Sequence, residues 1–244
     1  MLARLRNRPS RFRRFTGRED DEHDSNHRRR GRGRPQSGRT AGGAVRRLIV
    51  GISGASGVVY GIRLLEVLRG VADIETHLIL TNAARQTIAV ETDHSPAAVE
   101  ALADHCYRPG DIAAALSSGS FRTSGMVVIP CSIKTLSGIA SSYADSLVVR
   151  AADVVLKERR RLVLVVRETP LHLGHLRLME RAAELGAIVM PPVPAFYHRP
   201  RTIEEIIDQT VNRVLDALDI ELERELFARW QGPGSRPEPA SGEP

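Results

Sequence analysis

The sequence predicts an α/β fold: one domain built on a parallel sheet flanked by helices, preceded by a basic tail. Three observations carry that prediction. Strand and helix signals alternate along residues 45–230. A glycine-rich turn, Gly51-Ile52-Ser53-Gly54-Ala55-Ser56-Gly57, joins a short apolar run to an amphipathic stretch. The length outside the tail, about 200 residues, suits a single domain with a sizeable core.

Taken in order, Arg46-Arg47-Leu48-Ile49-Val50 opens a first buried strand over 46–52. Val58, Ile62, Leu65 and Leu68 then place an amphipathic helix over 56–69. Further strands are predicted at 74–80, 125–129, 161–166 and 187–190, and helices at 82–91, 96–104, 133–141, 145–159, 171–185 and 202–218. The last helix carries Ile203, Ile206, Ile207, Thr210, Val211, Val214 and Leu218 on one stripe, as a helix packed on a sheet requires. Strands followed regularly by helices imply right-handed crossovers and parallel pairing.

In such sheets ligands bind outside the carboxyl ends of the strands, so the residues just after each strand become candidates. The glycine-rich turn is the first. It faces a helix N-terminus, where free N–H groups and the helix dipole favour an anion, most often phosphate. Gly51, Gly54 and Gly57 are evenly spaced by three, which is not the dinucleotide fingerprint; a tight turn without a ligand is the competing reading. The second strand is followed by Thr81-Asn82-Ala83, the third by Pro130-Cys131-Ser132-Ile133-Lys134-Thr135, and the fourth by Arg167-Glu168-Thr169-Pro170. Each hydroxyl could simply cap a helix. Together they suit a phosphate-bearing cofactor with a flat polar ring system.

Charge divides the chain. Residues 1–44 hold 13 Arg against 5 Asp and Glu, a net of +8, whereas residues 45–244 net −2. The tail has few aliphatic residues, so it cannot bury enough apolar surface to offset chain entropy and is expected to be disordered. Charge alone would let it touch nucleic acid or an anionic membrane, with no specific nucleic-acid partner implied. Its first 18 residues are Arg-rich and acid-free, the composition of an organellar transit peptide, although Glu19-Asp20-Asp21-Glu22 follows at once. An upstream extension from a misplaced start codon is the other reading. A second tail is expected at 231–244. No stretch approaches a membrane span. Cys106 and Cys131 form no disulfide framework, which fits a reducing, cytoplasmic compartment.

Several motifs within 46–230 now combine. These are Gly54-Ala55-Ser56-Gly57, Glu91-Thr92-Asp93, Cys131-Ser132-Ile133-Lys134-Thr135-Leu136-Ser137-Gly138, Arg150-Ala151-Ala152-Asp153 running on to Arg160, Val166-Arg167-Glu168-Thr169-Pro170-Leu171, and Pro191-Pro192-Val193-Pro194-Ala195-Phe196-Tyr197-His198-Arg199-Pro200. The chain closely resembles the UbiX-type flavin prenyltransferases, within the homo-oligomeric flavin-containing decarboxylase-like proteins.

The resemblance implies a Rossmann-like or flavodoxin-like domain that binds FMN and dimethylallyl monophosphate. It implies prenyl transfer to flavin N5 and C6, making the cofactor of a partner decarboxylase in ubiquinone biosynthesis, within a homo-oligomer that the family forms as a dodecamer. It assigns FMN to Gly54, Ala55, Ser56, Thr81, Ser132, Ile133, Lys134, Thr135 and Arg167. It assigns the allylic phosphate to Tyr197 and Arg213 with Arg150, Lys157 and Glu91, partly across subunit boundaries, and proton handling to Glu168 and Ser56. Trp230 would face the prenyl group as an aromatic wall.

Plainer roles compete. Lys157-Glu158-Arg159-Arg160-Arg161 has the composition of a solvated helix end, and Arg213 that of a snorkelling cation at the edge of an apolar stripe. Tyr197 could merely cover the sheet end. His172 and His175 have metal-pair spacing but no third ligand, and Cys131 has no readable base, so neither a metal nor a cysteine nucleophile is expected. Asp20-Asp21-Glu22-His23-Asp24 matches the magnesium-binding spacing of isoprenoid synthases, yet lies in the tail with no pocket, so prenyl transfer is expected to be metal-independent. Two alternative functions remain: an FMN-dependent cysteine-type decarboxylase of the same fold, or a non-catalytic flavin-binding protein.

Overall fold

Six strands pair in parallel in the order β3-β2-β1-β4-β5-β6 in a computed structural model that describes Val45–Gly232. The expected tail 1–44, its acidic motif and most of 231–244 lie outside the described residues. The strands are β1 (Arg46–Ile52), β2 (Ile74–Leu80), β3 (His105–Tyr107), β4 (Gly125–Cys131), β5 (Arg161–Val166) and β6 (Ile188–Val189). The helices are α1 (Val58–Leu68), α2 (Asn82–Glu91), α3 (Pro96–Glu100), α4 (Ile133–Ala140), α5 (Leu147–Lys157), α6 (Leu173–Glu184) and α7 (Ile203–Ala217). This is the doubly wound, Rossmann-like order, reversing direction between β1 and β4.

The sheet is buried on both faces because its strands alternate between two cores. Leu48, Val50 and Ile52 of β1, Val127 and Ile129 of β4, and Val163 and Val165 of β5 face α1, α2 and α7. Ile49, Met126, Val128, Leu162, Leu164 and Val166 face α4, α5 and α6. A period of two thus spends an almost continuous apolar run on two layers. Each fully buried aliphatic side chain contributes about 1.5–3 kcal/mol.

Most predicted bounds differ from the observed ones by only one or two residues; the departures at the third predicted strand, at the helix predicted over 96–104 and at one added strand have local reasons. The third predicted strand runs on to Cys131: the ladder with β5 shifts register between Val128 and Cys131, so Pro130 needs no ladder donor there. The helix expected over 96–104 stops at Glu100, and Asp104 instead accepts from Thr76 N and Oγ1 at 2.7 and 2.8 Å. Those bonds hold the Asp104 carboxyl below its usual range. That anchorage lays His105–Tyr107 beside β2 as an edge strand the sequence reading missed.

Candidate functional site

Two turns meet at the point where the strand order reverses. Ser53, after β1, donates its hydroxyl to Pro130 O at 2.8 Å and accepts from Ser132 N at 2.7 Å, locking the β1–α1 turn to the β4–α4 turn. Ser53 is buried and was not among the predicted residues, although it lies inside the glycine-rich motif. Next to it, a Cβ on Gly54 would overlap the Cβ of Ala83, so only glycine lets this turn lie against the start of α2.

A cleft of about 520 Å³ opens there, lined by Gly54, Thr81, Asn82, Ala83, Pro109, Gly110, Ser132, Lys134, Thr135, Asp145, Ser146, Val148 and Val149. Three helix N-termini converge on it. Thr81 caps α2, its hydroxyl accepting from Ala84 N at 3.1 Å. Ser132 caps α4, accepting from Thr135 N at 3.4 Å with its hydroxyl 3.2 Å from that of Thr135. Ser146 precedes α5 without any side-chain cap bond, and Leu147 N is tied to Pro109 O at 2.8 Å. Each N-terminus contributes partial positive charge and free N–H groups, and Lys134 adds a full charge. The donor set and the glycine cradle fit the phosphate and polar ring edge of a flavin mononucleotide.

The N-terminus of α1, the first anion site suggested by the sequence, carries an anion of its own. Glu91 Oε2 accepts from Gly57 N at 2.8 Å and Val58 N at 3.3 Å. Gly57 sits at φ +95°, a conformation that presents its N–H to that carboxylate and that other residues adopt only under strain. The N-terminal donors that line the cleft therefore lie on α2, α4 and α5, and α1 has its carboxylate built in.

The structure brings Gly54, Thr81, Ser132, Lys134 and Thr135 to one cleft, with Ile133 opening α4 beside them. Ala55 is buried and Ser56 exposed in the adjoining turn. Arg167 follows β5, its N–H donating to Cys131 O at 3.1 Å. Its charge is felt at the hydroxyl of Tyr60 on α1, opposing the upward push that burial gives that phenol. Glu168 is exposed, and its Oε1 accepts from Thr169 N at 3.0 Å.

The phosphate candidates are dispersed. Arg150 on α5 donates to Asp153 at 2.7 Å and to Ser117 O at 3.1 Å. Lys157, at the far end of the same helix, pairs with Glu158, so a single chain does not bring it to the cleft. Arg213 donates to Asp216 at 2.6 Å, and Arg229 donates to the same carboxylate from both terminal guanidinium nitrogens; Arg229 foremost holds the Asp216 carboxyl below its usual range. Tyr197 and Trp230 do meet, with ring centroids 6.0 Å apart, alongside His198 and Phe227. His172 proves to be a cap: its Nδ1 accepts from Gly174 N and His175 N at the start of α6. Burial pushes the Cys131 thiol up to about 12, which leaves no thiolate for nucleophilic work.

Sequence reasoning missed Asp145, Ser146 and the Pro109-Gly110 turn. Ser146 before an apolar-periodic helix is the same N-cap signal that marked Thr81 and Ser132. It escaped because no strand immediately precedes it, and strand ends were the filter.

Known proteins agree with this geometry. The profile of the family described as Flavoprotein matches residues 40–215. The flavin prenyltransferase UbiX of Escherichia coli strain K12 is 69% identical over 188 residues, 77% of this chain and 100% of that protein. A crystal structure of AnUbiX (PadA1) in complex with FMN and dimethylallyl pyrophosphate is 51% identical, with a TM-score of 0.74 over 77% of this chain and 98% of that one. A dodecameric FMN-dependent UbiX-like decarboxylase from Escherichia coli O157:H7 is 52% identical, with a TM-score of 0.74 over 76% and 100%. With the cleft at the switch point and identity sustained across the whole described domain, the chain belongs to the UbiX-type flavin prenyltransferases of the Flavoprotein family.

Proposed function

We propose that this protein joins the dimethylallyl group of dimethylallyl monophosphate to N5 and C6 of reduced FMN, making prenylated FMN for a partner decarboxylase in ubiquinone biosynthesis. The observation that carries the proposal is the convergence of three helix N-termini on one cleft, in a chain half identical to a protein crystallised with FMN and a dimethylallyl phosphate ester. Reduced FMN, when bound, supplies the two ring positions that accept the prenyl group.

The chain's own residues do the rest. Thr81, Ser132, Ile133, Lys134 and Thr135 hold the cofactor through N–H groups, hydroxyls and one cation, with Gly54, Ala55 and Ser56 bracing it. Arg167 adds a fixed charge from the α1 side. A leaving phosphate needs donors that strengthen as its charge develops; Arg150, Lys157, Tyr197 and Arg213 supply that chemistry. Lys157 and Arg213 stand away from the cleft within one chain, so they serve the site of a neighbouring copy in a homo-oligomer. Trp230 and Tyr197 wall the allylic chain. Glu168 would accept the proton that closure at flavin C6 would release, at the carboxylate oxygen not held by Thr169 N; Ser56 would handle protons beside it, and Glu91 would contribute at the allylic phosphate. A monophosphate is balanced by these cations without a divalent metal.

The test is the mass of the bound flavin after the reduced holoprotein is incubated with dimethylallyl monophosphate and, separately, with the pyrophosphate. A four-ring prenylated flavin from the monophosphate is expected. Unchanged FMN with both esters, or carbon dioxide released from a cysteine-type peptide, would overturn the reading.

A further inference from the structure

The β3 edge of the sheet holds a second cluster of chemistry-bearing side chains. Glu75 and His77 are two residues apart on β2 and so project from one face. His77 pairs in register with His105 of β3, which brings the second imidazole alongside. One ligand-capable atom from each of the three lies within 4.8 Å of the others. His105 Nε2 is 2.6 Å from Glu75 Oε1, and His77 Nε2 is 3.6 Å from the same oxygen. The His77 side chain is 3% exposed, yet its Nε2 has no hydrogen-bond partner.

We propose that Glu75, His77 and His105 form a site for a zinc-class divalent cation, separate from the flavin cleft and from prenyl transfer. Two imidazoles and a carboxylate are the borderline donor set that zinc takes, with the fourth position left to water. Donors around a tetrahedral ion stand roughly 3.3 Å apart, given bonds near 2.0–2.1 Å. The His77–Glu75 spacing already matches, the His105–Glu75 contact has to open slightly, and the widest separation among the three donors, within 4.8 Å, has to close onto the ion. An ion pair between His105 and Glu75 accounts for one contact and leaves His77 Nε2 orphaned inside the protein. A cation satisfies all three groups.

Supporting contacts are in place. Tyr107 Oη lies 3.0 Å from His77 Nδ1, fixing the ring and directing Nε2 to the cluster. Arg47 Nε donates to Glu75 Oε2 at 3.2 Å, turning the other oxygen to the imidazoles. The His105 side chain is half-exposed and opens a path from solvent. His77 lies four residues before Thr81, about 13 Å along the strand, so the ion would not touch the cleft. Its role would be to pin a three-residue edge strand to the sheet.

Equilibrium dialysis of the full chain, stripped with EDTA and returned to micromolar zinc, tests the site. Wild type should hold one more zinc than His105→Ala, and zinc should raise the melting temperature of wild type only. Tyr107→Phe should weaken binding by roughly 10–100-fold, the usual cost of losing an outer partner. Any zinc held elsewhere, including by His23 and His27 of the tail, would be common to all variants. Equal zinc content and equal thermal shifts in wild type and His105→Ala would overturn the proposal, as would no zinc bound by wild type. Should His105→Ala not fold, Glu75→Gln takes its place under the same criteria.

Discussion

Two clefts of nearly equal size lie on the α-helical layers of this protein, and they differ in the sign of what lines them. The switch-point cleft, about 520 Å³, gathers the positive ends of α2, α4 and α5 with Lys134 and a single carboxylate, Asp145. The other, about 560 Å³, lies between α1, the end of α2 and the start of α7. It is lined by Glu66, Glu91, Asp93, Glu204 and Asp208, with Arg63 bridging Asp208 and Glu66. Volume therefore does not choose the anion site; the direction of the helices does. Where a carboxylate already satisfies a helix N-terminus, as Glu91 does for α1, the helix charge is already matched, and a further anion there needs side-chain cations. Where serine or threonine hydroxyls do the capping, the partial charge is left for a ligand.

The comparison breaks most sharply through chemistry. Glu168→Gln should retain FMN at wild-type occupancy while forming the four-ring flavin on the order of 10²–10⁴-fold more slowly, the usual worth of a positioned general base. Wild-type product formation by this variant would remove Glu168 from the mechanism. Next in size is Arg167→Ala. Losing a charged hydrogen bond costs about 1.5–3 kcal/mol, so FMN retention through purification should fall by one to two orders of magnitude. Equal occupancy in mutant and wild type would count against Arg167 as a cofactor ligand.

Gly54→Val tests the cradle, because the added side chain must displace Ala83 at the start of α2. Overpacking of this kind typically costs about 1–3 kcal/mol; a lowered melting temperature with weakened FMN binding is expected. Glu91→Gln is smaller still as a stability change, about 0.3–1 kcal/mol for a charge at a helix end. It should spare FMN occupancy and slow turnover. A variant with lowered stability and unchanged turnover would make Glu91 a cap and nothing more. The smallest effects are expected from EDTA and from starting the chain at Val45: prenylation per folded subunit should persist through both, and magnesium rescue of an EDTA-abolished activity would sink the metal-free mechanism.

Most of the fold was legible because its strands are long apolar runs ended by hydroxyl and glycine signals, as at Ile74–Leu80 before Thr81. β3 was not, since His105-Cys106-Tyr107 is too short and too polar to show a period of two. The strand-end filter found Thr81 and Ser132, which line the cleft, and pointed to Arg167 after β5, all three positions following from topology alone. It passed over Ser146 and Pro109-Gly110, which reach the cleft through a loop packed across it. It could not see that Glu91 reaches the α1 N-terminus, because a carboxylate 34 residues downstream of Gly57 is invisible to local reasoning. For Lys157 and Arg213 the sequence offered two readings. In one chain both residues pair with acids, and the phosphate role proposed for them rests on a neighbouring copy.

Cys131 closes β4 immediately before the Ser132 cap, fully enclosed, whereas Cys106 is exposed. The chain therefore carries a thiol clock beneath the floor of its cleft. A disulfide reagent should label Cys106 first and reach Cys131 only when the β4–α4 corner opens, so the second labelling rate measures the free energy of that opening. Flavin that grips Ser132 and Thr135 should slow the clock, giving a readout of cofactor binding that needs neither substrate nor turnover.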